Sequence, residues 1–448
     1  MYKFFSFIIL LAMYIALSQT FVIAQEAITL KDAVKIALEN NNELLAMKNS
    51  LSATERDIGI ARSLLMPKLK MDETFVSTNN PGQVFALKID QRRFTSSDLN
   101  GAPDTFNNPG IINNFMTGIA VEQPIFLKKA NVGINMAKKE YSAQGYEYLR
   151  KQEELILEVS QAYLIVSTSQ EYINVADKAI NDAKEHLRIA DIKYQNGTGL
   201  YSDVLRANTA LTEAQQNFIT AQKNSNLAKR TLGLLLGKTD SVDIIDTVPD
   251  IAIQDSAYYD SVSLYRNDIK SMELKVENAN NNIKFTEADY FPTIGAGGGY
   301  QLYDHRAPFA FEGHNYTVSG SMKWDAFDGK KRKYEKLKAQ DKFAEAQQYL
   351  EGFKKSVSYK VFESLQEIEE AKKNLELSNA ALLSAEEGKR LVLKRWENSL
   401  SPFVELMDTQ TNLDRARANV IKSQNNYKSA LLQLSFESGT IFKDLGIN

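Results

Sequence analysis

The chain offers few groups that could make or break a covalent bond. Its 448 residues contain no cysteine and three histidines, His186, His305 and His314. Without cysteine there are no disulfides, no thiol catalysis, no Cys-ligated metal and no lipid anchor on an N-terminal cysteine. No Ser-His-Asp pattern or dinucleotide fingerprint is present, and "GAGGGY" at 295–300 is not a phosphate loop, because no helix start follows it. We therefore assign no catalytic residue, cofactor or metal. His186 lies beside an apolar seam on a face expected to be exposed, and His305 and His314 share a polar loop. What remains is the chemistry of fixed charge. Glu405 and Asp408 stand three residues apart, on one face of a helix that follows a turn. Asp203 opens a helix in the same way half a chain earlier. Acidic residues at such positions stabilise the positive end of a helix. The net charge is −3, so there is no basic footprint for nucleic acid.

The elements that must hold these carboxylates are built twice. "YQNGTGLYSDVLRANTAL" from Tyr194 and "WENSLSPFVELMDTQTNL" from Trp396 both read as a helix end, a tight turn and a new helix. A shift of 202 residues lays Tyr194–Gly237 on Trp396–Gly439 with 11 identities in 44 positions and no gap. Before the first turn, Val159, Ala162, Val166, Ser169, Ile173, Ala176, Ile180, Ala183, Leu187, Ala190 and Tyr194 alternate by three and four. The same shift gives a second seam from Val361 to Trp396, broken only by Lys389. Such a heptad seam predicts supercoiled helices, and its small residues allow close approach. A second block, Leu44 to Leu65, repeats at a shift of 225 as Ile269 to Tyr290, each copy ending at a proline, Pro67 or Pro292.

All nine prolines avoid 125–248 and 309–401, so a helix can run from about residue 130 to 194 and another from about 330 to 396, each on the order of 100 Å. Between each proline-ended helix and each long helix the period changes to two. Phe115, Thr117, Ile119 and Val121 alternate with Met116, Gly118, Ala120 and Glu122; Tyr316, Val318, Met322 and Trp324 alternate with Thr317, Ser319, Ser321 and Lys323. "KLKMDETFVS" and "TIGAGGGYQLY" are their partner strands, and the loops between, roughly 79–111 and 304–314, are polar. One apolar face and one small or polar face suit a lipid-facing barrel with a watery lumen. Four strands cannot close, so closure requires eight from a dimer or twelve from a trimer. A small sheet packed on a soluble helical bundle would show the same strands.

The N-terminus, with Lys3, an apolar run, and Val22 and Ala24 in the spacing a signal peptidase reads, predicts a secretory leader cut near Ala24; a retained anchor helix is the other reading. Beyond Gln25 no apolar run reaches transmembrane-helix length. The organisation expected is a leader at 1–24, a first repeat at 25–250 (helix, two strands, long helical hairpin) and a second at 251–448, the two forming one intertwined domain.

Taken with "LLMPKL" and "DYFPTI", "QPIF" and "WDAFDGKKRK", and the Tyr-x-x-Gly turn followed by Asp-Val-Leu, this layout resembles the TolC-type outer membrane efflux proteins over nearly all of the mature chain. The resemblance implies a mainly α fold with a small β part. A long antiparallel coiled-coil α-helical barrel would join a transmembrane β-barrel shared between protomers, four strands per chain, in a homotrimer. It implies location in the outer membrane, extending into the periplasm, and a passive duct for tripartite efflux or type I secretion. The partners would be outer membrane lipid, a periplasmic adaptor (membrane fusion) protein and an inner-membrane pump of RND, ABC or MFS type; neither nucleic acid nor a cofactor is implied. The turns would be the periplasmic tips. Glu405 and Asp408 would supply six carboxylates around one axis, a ring that selects by charge, although both also suit a plain helix start. Asp203 would hold the mouth shut through Trp396 and Ser401, where the family often has a tyrosine and an arginine; the alternative is helix capping. Gly197, Thr198, Gly199, Ser399 and Leu400 would dock the adaptor, with Ser399 in place of the usual glycine and Pro402 stiffening its turn. "GKKRKYEKLK" from Gly329 reads as a solvated helix start near the membrane boundary. A secreted coiled-coil protein of the cell envelope would explain heptads and secretion but not the duplicated strand pairs. An adaptor would carry one hairpin, not two.

Overall fold

The computed structural model describes residues 27–101 and 103–447; the expected leader and its cleavage point near Ala24 lie outside them. In chain order the elements are β1 (Ala27–Ile28), α1 (Leu30–Asn40), α2 (Asn42–Ser63), β2 (Lys68–Thr78), α3 (Pro81–Asp90), α4 (Ser96–Leu99), α5 (Pro103–Asn107) and β3 (Ile112–Phe126). The first hairpin follows, α6 (Lys128–Gln195) and α7 (Tyr201–Leu235), then β4 (Asp243–Ile244), α8 (Ser256–Ser263), α9 (Asn267–Glu287), β5 (Thr293–Asp304) and β6 (Gly313–Lys323). The second hairpin is α10 (Lys331–Glu397) and α11 (Phe403–Ser438), closed by α12 (Ile441–Asp444). The proline-free stretches thus become helices of 68 and 67 residues. The segment expected as a polar loop at 79–111 instead folds into three short helices. Asn80 caps α3 through Gln83 N and Pro81 occupies its first turn, a start signal that the loop reading passed over.

The chain divides into two compact units, each drawing residues from both halves. One comprises residues through Lys48, Glu147–Ile269 and from Phe353 on. Its core packs α1 and the middle of α6 against the ends of α7 and α11, with Ala33, Val34, Ile156, Val159, Tyr163, Leu232 and Leu432 all buried. The parallel pair β1–β4 closes over it, and the Tyr163 hydroxyl donates to Ile28 O at 2.9 Å and also bonds Asp246. The heptad seam is the buried line in both hairpins. Val159, Val166, Ile180, Ala183 and Ala190 are buried in the first, Val361, Ile368, Val392 and Trp396 in the second.

The other unit comprises Asn49–Tyr146 and Lys270–Gly352. Its sheet has the order β2-β3-β5-β6 with every neighbour antiparallel. Register places Leu69 opposite Val121, Met71 opposite Ile119, Phe75 opposite Phe115, Ile119 opposite Tyr300 and Tyr300 opposite Tyr316. These apolar residues share one face by the period of two, and most stand open: Leu69 is 73%, Tyr316 80% and Val318 82% exposed. Glu73 interrupts this face and takes a hydrogen bond from the Thr117 hydroxyl. Gly297, Gly299, Ser319 and Thr317 lie on the opposite face. β2 and β6 each have one edge unpaired among the described residues.

Candidate functional site

The two turns close on the same bonds. After α6, Gly197 N donates to Tyr194 O at 2.9 Å and Thr198 N to Lys193 O at 2.9 Å; after α10, Ser399 N donates to Trp396 O at 2.9 Å and Leu400 N to Arg395 O at 2.8 Å. This is the Schellman ending, which needs a left-handed residue just past the helix. Gly197 supplies it at φ 74° and Ser399 at φ 58°, so the second turn carries backbone strain that the first avoids. Gly199 is held tightly, since a β-carbon there would lie 2.8 Å from the Lys193 Cβ. Leu200 and Leu400 are exposed at the two turns.

Lys193, which sequence reasoning passed over, ties the turns together. Its ammonium donates to Trp396 O at 2.8 Å, Glu397 O at 3.0 Å and Ser399 Oγ at 3.1 Å, and lies 5.2 Å from the centre of the Trp396 ring. A cation on the carbonyls that end α10 also complements its dipole. The signal was present: Lys193 and Arg395 are equivalent under the 202-residue shift.

Trp396 is buried against Phe403, ring centroids 5.2 Å apart, in a small core with Ala190, Ala207, Val392 and Leu406. Its counterpart Tyr194 is exposed and packs on Tyr201. The structure does not bring Asp203 to Trp396 or Ser401. Asp203 sits half-buried in the first turn of α7, with no side-chain hydrogen bond or ion pair among the described residues. Ser401 is buried and its hydroxyl donates to Glu405 instead. The cation that the Ser401 position lacks is supplied by Arg395, 3.4 Å from Glu405 Oε1. Glu405 is thus partly compensated locally, whereas Asp408 is exposed and, among the described residues, free of ion pairs. Asp408 borders a groove of about 910 Å³ between α6, α7 and α11, shared with Ala183, His186, Arg206, Gln410 and Asp414.

His186 is a correction: expected on an exposed face, it is 2% exposed. Its Nε2 faces Gln410 Oε1 at 3.3 Å and its Nδ1 has no partner among the described residues. The Gln410 amide donates to Asp182 at 3.2 Å and Asp414 at 3.0 Å, Arg417 approaches Asp182 at 3.3 Å and Asp414 at 3.5 Å, and Lys389 reaches Asp182 at 3.3 Å. Lys389, the one break in the second seam, therefore meets a charged partner. Burial holds the His186 imidazole below its ordinary value and the Asp414 carboxyl above it. Burial alone would raise Asp182 too, but Lys389 and Arg417 together keep it below the usual carboxylate range.

In the other unit, His314 belongs to β6 rather than a loop and stacks on Phe311. His305 Nδ1 lies 2.6 Å from Glu312, with Asp304 adjacent, and Arg93, 3.9 Å from Glu312, is a cationic partner for that acidic group. The described residues thus present two joined turns, a set of carboxylates beside them and an open-edged sheet: groups that can bind, exclude and move by charge.

The family described as outer membrane efflux protein matches residues 33–238 and 259–440. The alkaline protease secretion protein AprF of Pseudomonas aeruginosa is 21% identical over 278 residues, 60% of this chain and 54% of AprF. Toxin and drug export protein A of Aggregatibacter actinomycetemcomitans is 29% identical over 171 residues, 35% of this chain and 37% of that protein. The chain therefore spans about half or less of the length of these curated relatives. Among solved structures, the open state of the Neisseria gonorrhoeae MtrE outer membrane channel superimposes with a TM-score of 0.73 at 17% identity, over 93% of this chain and 90% of that one.

Proposed function

The chain belongs to the outer membrane efflux protein family, and on that premise we propose that it is the passive duct of a tripartite efflux or type I secretion assembly. It is an outer membrane channel component and not an enzyme. The observation that carries the reading is the sheet: four antiparallel strands, an apolar face standing open, and two edges with no partner among the described residues. An open edge cannot stay unpaired in lipid. Because successive strands alternate in direction, β6 of one copy meets β2 of the next in antiparallel sense. Three copies close a twelve-stranded barrel without a parallel seam.

The α6–α7 and α10–α11 turns then face the periplasm. Gly197, Thr198, Gly199, Ser399 and Leu400 offer short side chains, exposed backbone and one exposed leucine to a periplasmic adaptor that links to an inner-membrane pump of RND, ABC or MFS type. Glu405 and Asp408 from three chains supply the carboxylates at the mouth. Asp408 carries more of the field, because Arg395 and Ser401 already engage Glu405. Lys193 on Trp396 and Ser399 holds the turns in register while Ser401 fixes Glu405, and opening is a shift between closed and open populations that Asp203 biases from the start of α7.

The test is conductance of the purified protein in a planar lipid bilayer with its cation/anion selectivity. Wild type is expected to form discrete cation-preferring channels. Asp408→Asn is expected to lose more of that preference than Glu405→Gln, and the double variant most of it. Selectivity unchanged in the double variant moves the constriction elsewhere. No conductance from folded protein, even with Asp203→Ala, removes the duct.

A further inference from the structure

One motif remains outside this account, the basic run that opens α10. The segment Lys323–Lys338 holds seven basic and three acidic residues, a net +4. It begins where β6 ends, at the sheet edge where β5 also starts, since Thr293 pairs with Lys323. The acidic groups are largely used. Asp328 takes Arg332 at 2.9 Å, Glu335 faces Lys331 at 3.7 Å, and Lys336 reaches back to Glu287 at 2.9 Å. Lys330, Lys333 and Lys338 are exposed and have no ion-pair partner among the described residues.

This placement is unfavourable for an isolated helix. The first turn of α10 has no acidic residue of its own, and one carboxylate just before it, Asp328, caps it by accepting from Arg332 N at 2.9 Å. Four consecutive cations there repel one another and the helix end. Gly329 at φ 67° and Lys330 at φ 71° add a left-handed pair, strained at the lysine. One internal carboxylate does not offset four cations, and an anion outside the protein would relieve their repulsion; the strain at Lys330 is a separate, steric cost.

The surroundings say which anion. Trp324 is 57%, Phe327 79% and Tyr334 62% exposed, all within the same segment. The frame beneath is fixed, with Trp324 Nε1 donating to Tyr290 O at 3.2 Å and Arg332 donating to Asp289 O at 3.1 Å. Exposed aromatic rings beside lysines, at the end of a membrane strand, match the polar–apolar boundary of a bilayer. A free phosphate would use the lysines and leave the rings in water.

We propose that Lys330, Lys333 and Lys338, with Trp324, Phe327 and Tyr334, form a collar that binds anionic phospholipid headgroups of the periplasmic leaflet. The collar rests on the reading above that these strands cross the outer membrane. It adds a selective lipid contact that anchors the start of α10 at the membrane surface.

Trp324 is one of only two tryptophans, and the other, Trp396, is buried. Full-length protein in vesicles with brominated phosphatidylglycerol or brominated phosphatidylcholine reports directly on Trp324, with Trp324→Phe giving the Trp396 background. Wild type is expected to prefer phosphatidylglycerol by roughly tenfold at low salt. Replacing Lys330, Lys333 and Lys338 with Gln should bring the preference near one, and replacing them with Arg should keep it. Equal quenching by both lipids in wild type overturns the collar, as does a preference that survives the Gln variant. Loss of the preference in phosphate buffer, but not in chloride of equal ionic strength, assigns the site to free phosphate and also overturns it. Conducting channels with no quenching reject the collar while leaving the duct intact; no quenching and no conductance reject insertion itself.

Discussion

His186 shows how a single buried group sets a pH response. Because burial depresses its value below 6.5, there is a pH interval in which the unfolded chain binds a proton that the folded chain refuses. Its contribution is complete above about pH 6.5 and is lost as pH falls through the folded value. Asp414 has the opposite sign: its raised value means a contribution present in acid and lost as pH rises. Thermal unfolding is therefore expected to show a lower midpoint at pH 5.5 than at 7.5, with a smaller gap in His186→Gln. An equal gap in both proteins would place the acid sensitivity elsewhere. The sequence hid this residue because it lies beside the seam rather than on it. Its burial comes from Gln410 and its neighbours on α11, far along the chain. Lys389 was legible as an interruption of the heptads, but its partner Asp182 was not, since spacing along one helix says nothing of which helix faces it.

At the scale of elements, the duplication makes the turns an internal control. Gly197, Gly237, Ser399 and Gly439 are related in pairs by the 202-residue shift, and all four stand at positive φ past a helix end. Three are glycine and one is serine. At Gly197 a β-carbon would meet nothing within 4 Å, so Gly197→Ala isolates the backbone cost, expected at about 1 kcal/mol. Ser399→Gly should give a gain of about 0.5 kcal/mol, less than the mirror change because the Lys193 bond to Ser399 Oγ is lost. Hydrogen exchange at the two turns checks both; faster exchange in Ser399→Gly would mean that the lysine bond outweighs the strain. Helices and turns of this kind are local, which is why proline spacing and heptads located α6 and α10 to within a few residues. The short helices α3 to α5 were missed because Gly, Asn and Pro also describe caps. The β1–β4 pair was missed because two residues on each side carry no periodicity.

For the whole molecule the decisive feature is an incomplete sheet. Its strands were readable from their period of two, and the expectation of other copies followed from counting them. The network that holds Asp182, Lys389, Gln410 and Arg417 together was not readable, because it depends on three helices, α6, α10 and α11, meeting. A lysine on the apolar face, Val318→Lys, is expected to cost about 2–4 kcal/mol per copy in the bilayer and to abolish the proposed oligomer, read by chemical cross-linking of wild type and variant; an oligomer unaffected by the change would turn that face away from lipid. The open edges also have a genetic consequence. On the proposed closure by three chains, a channel is no better than its worst member, so a defective allele acts on its neighbours' products as well as its own. With equal expression of wild-type chains and of chains that assemble but do not export, only about one assembly in eight would be wholly wild type on that closure. One damaged gene copy would then behave as dominant, and export would fall far below the half expected of a protein whose chains work alone.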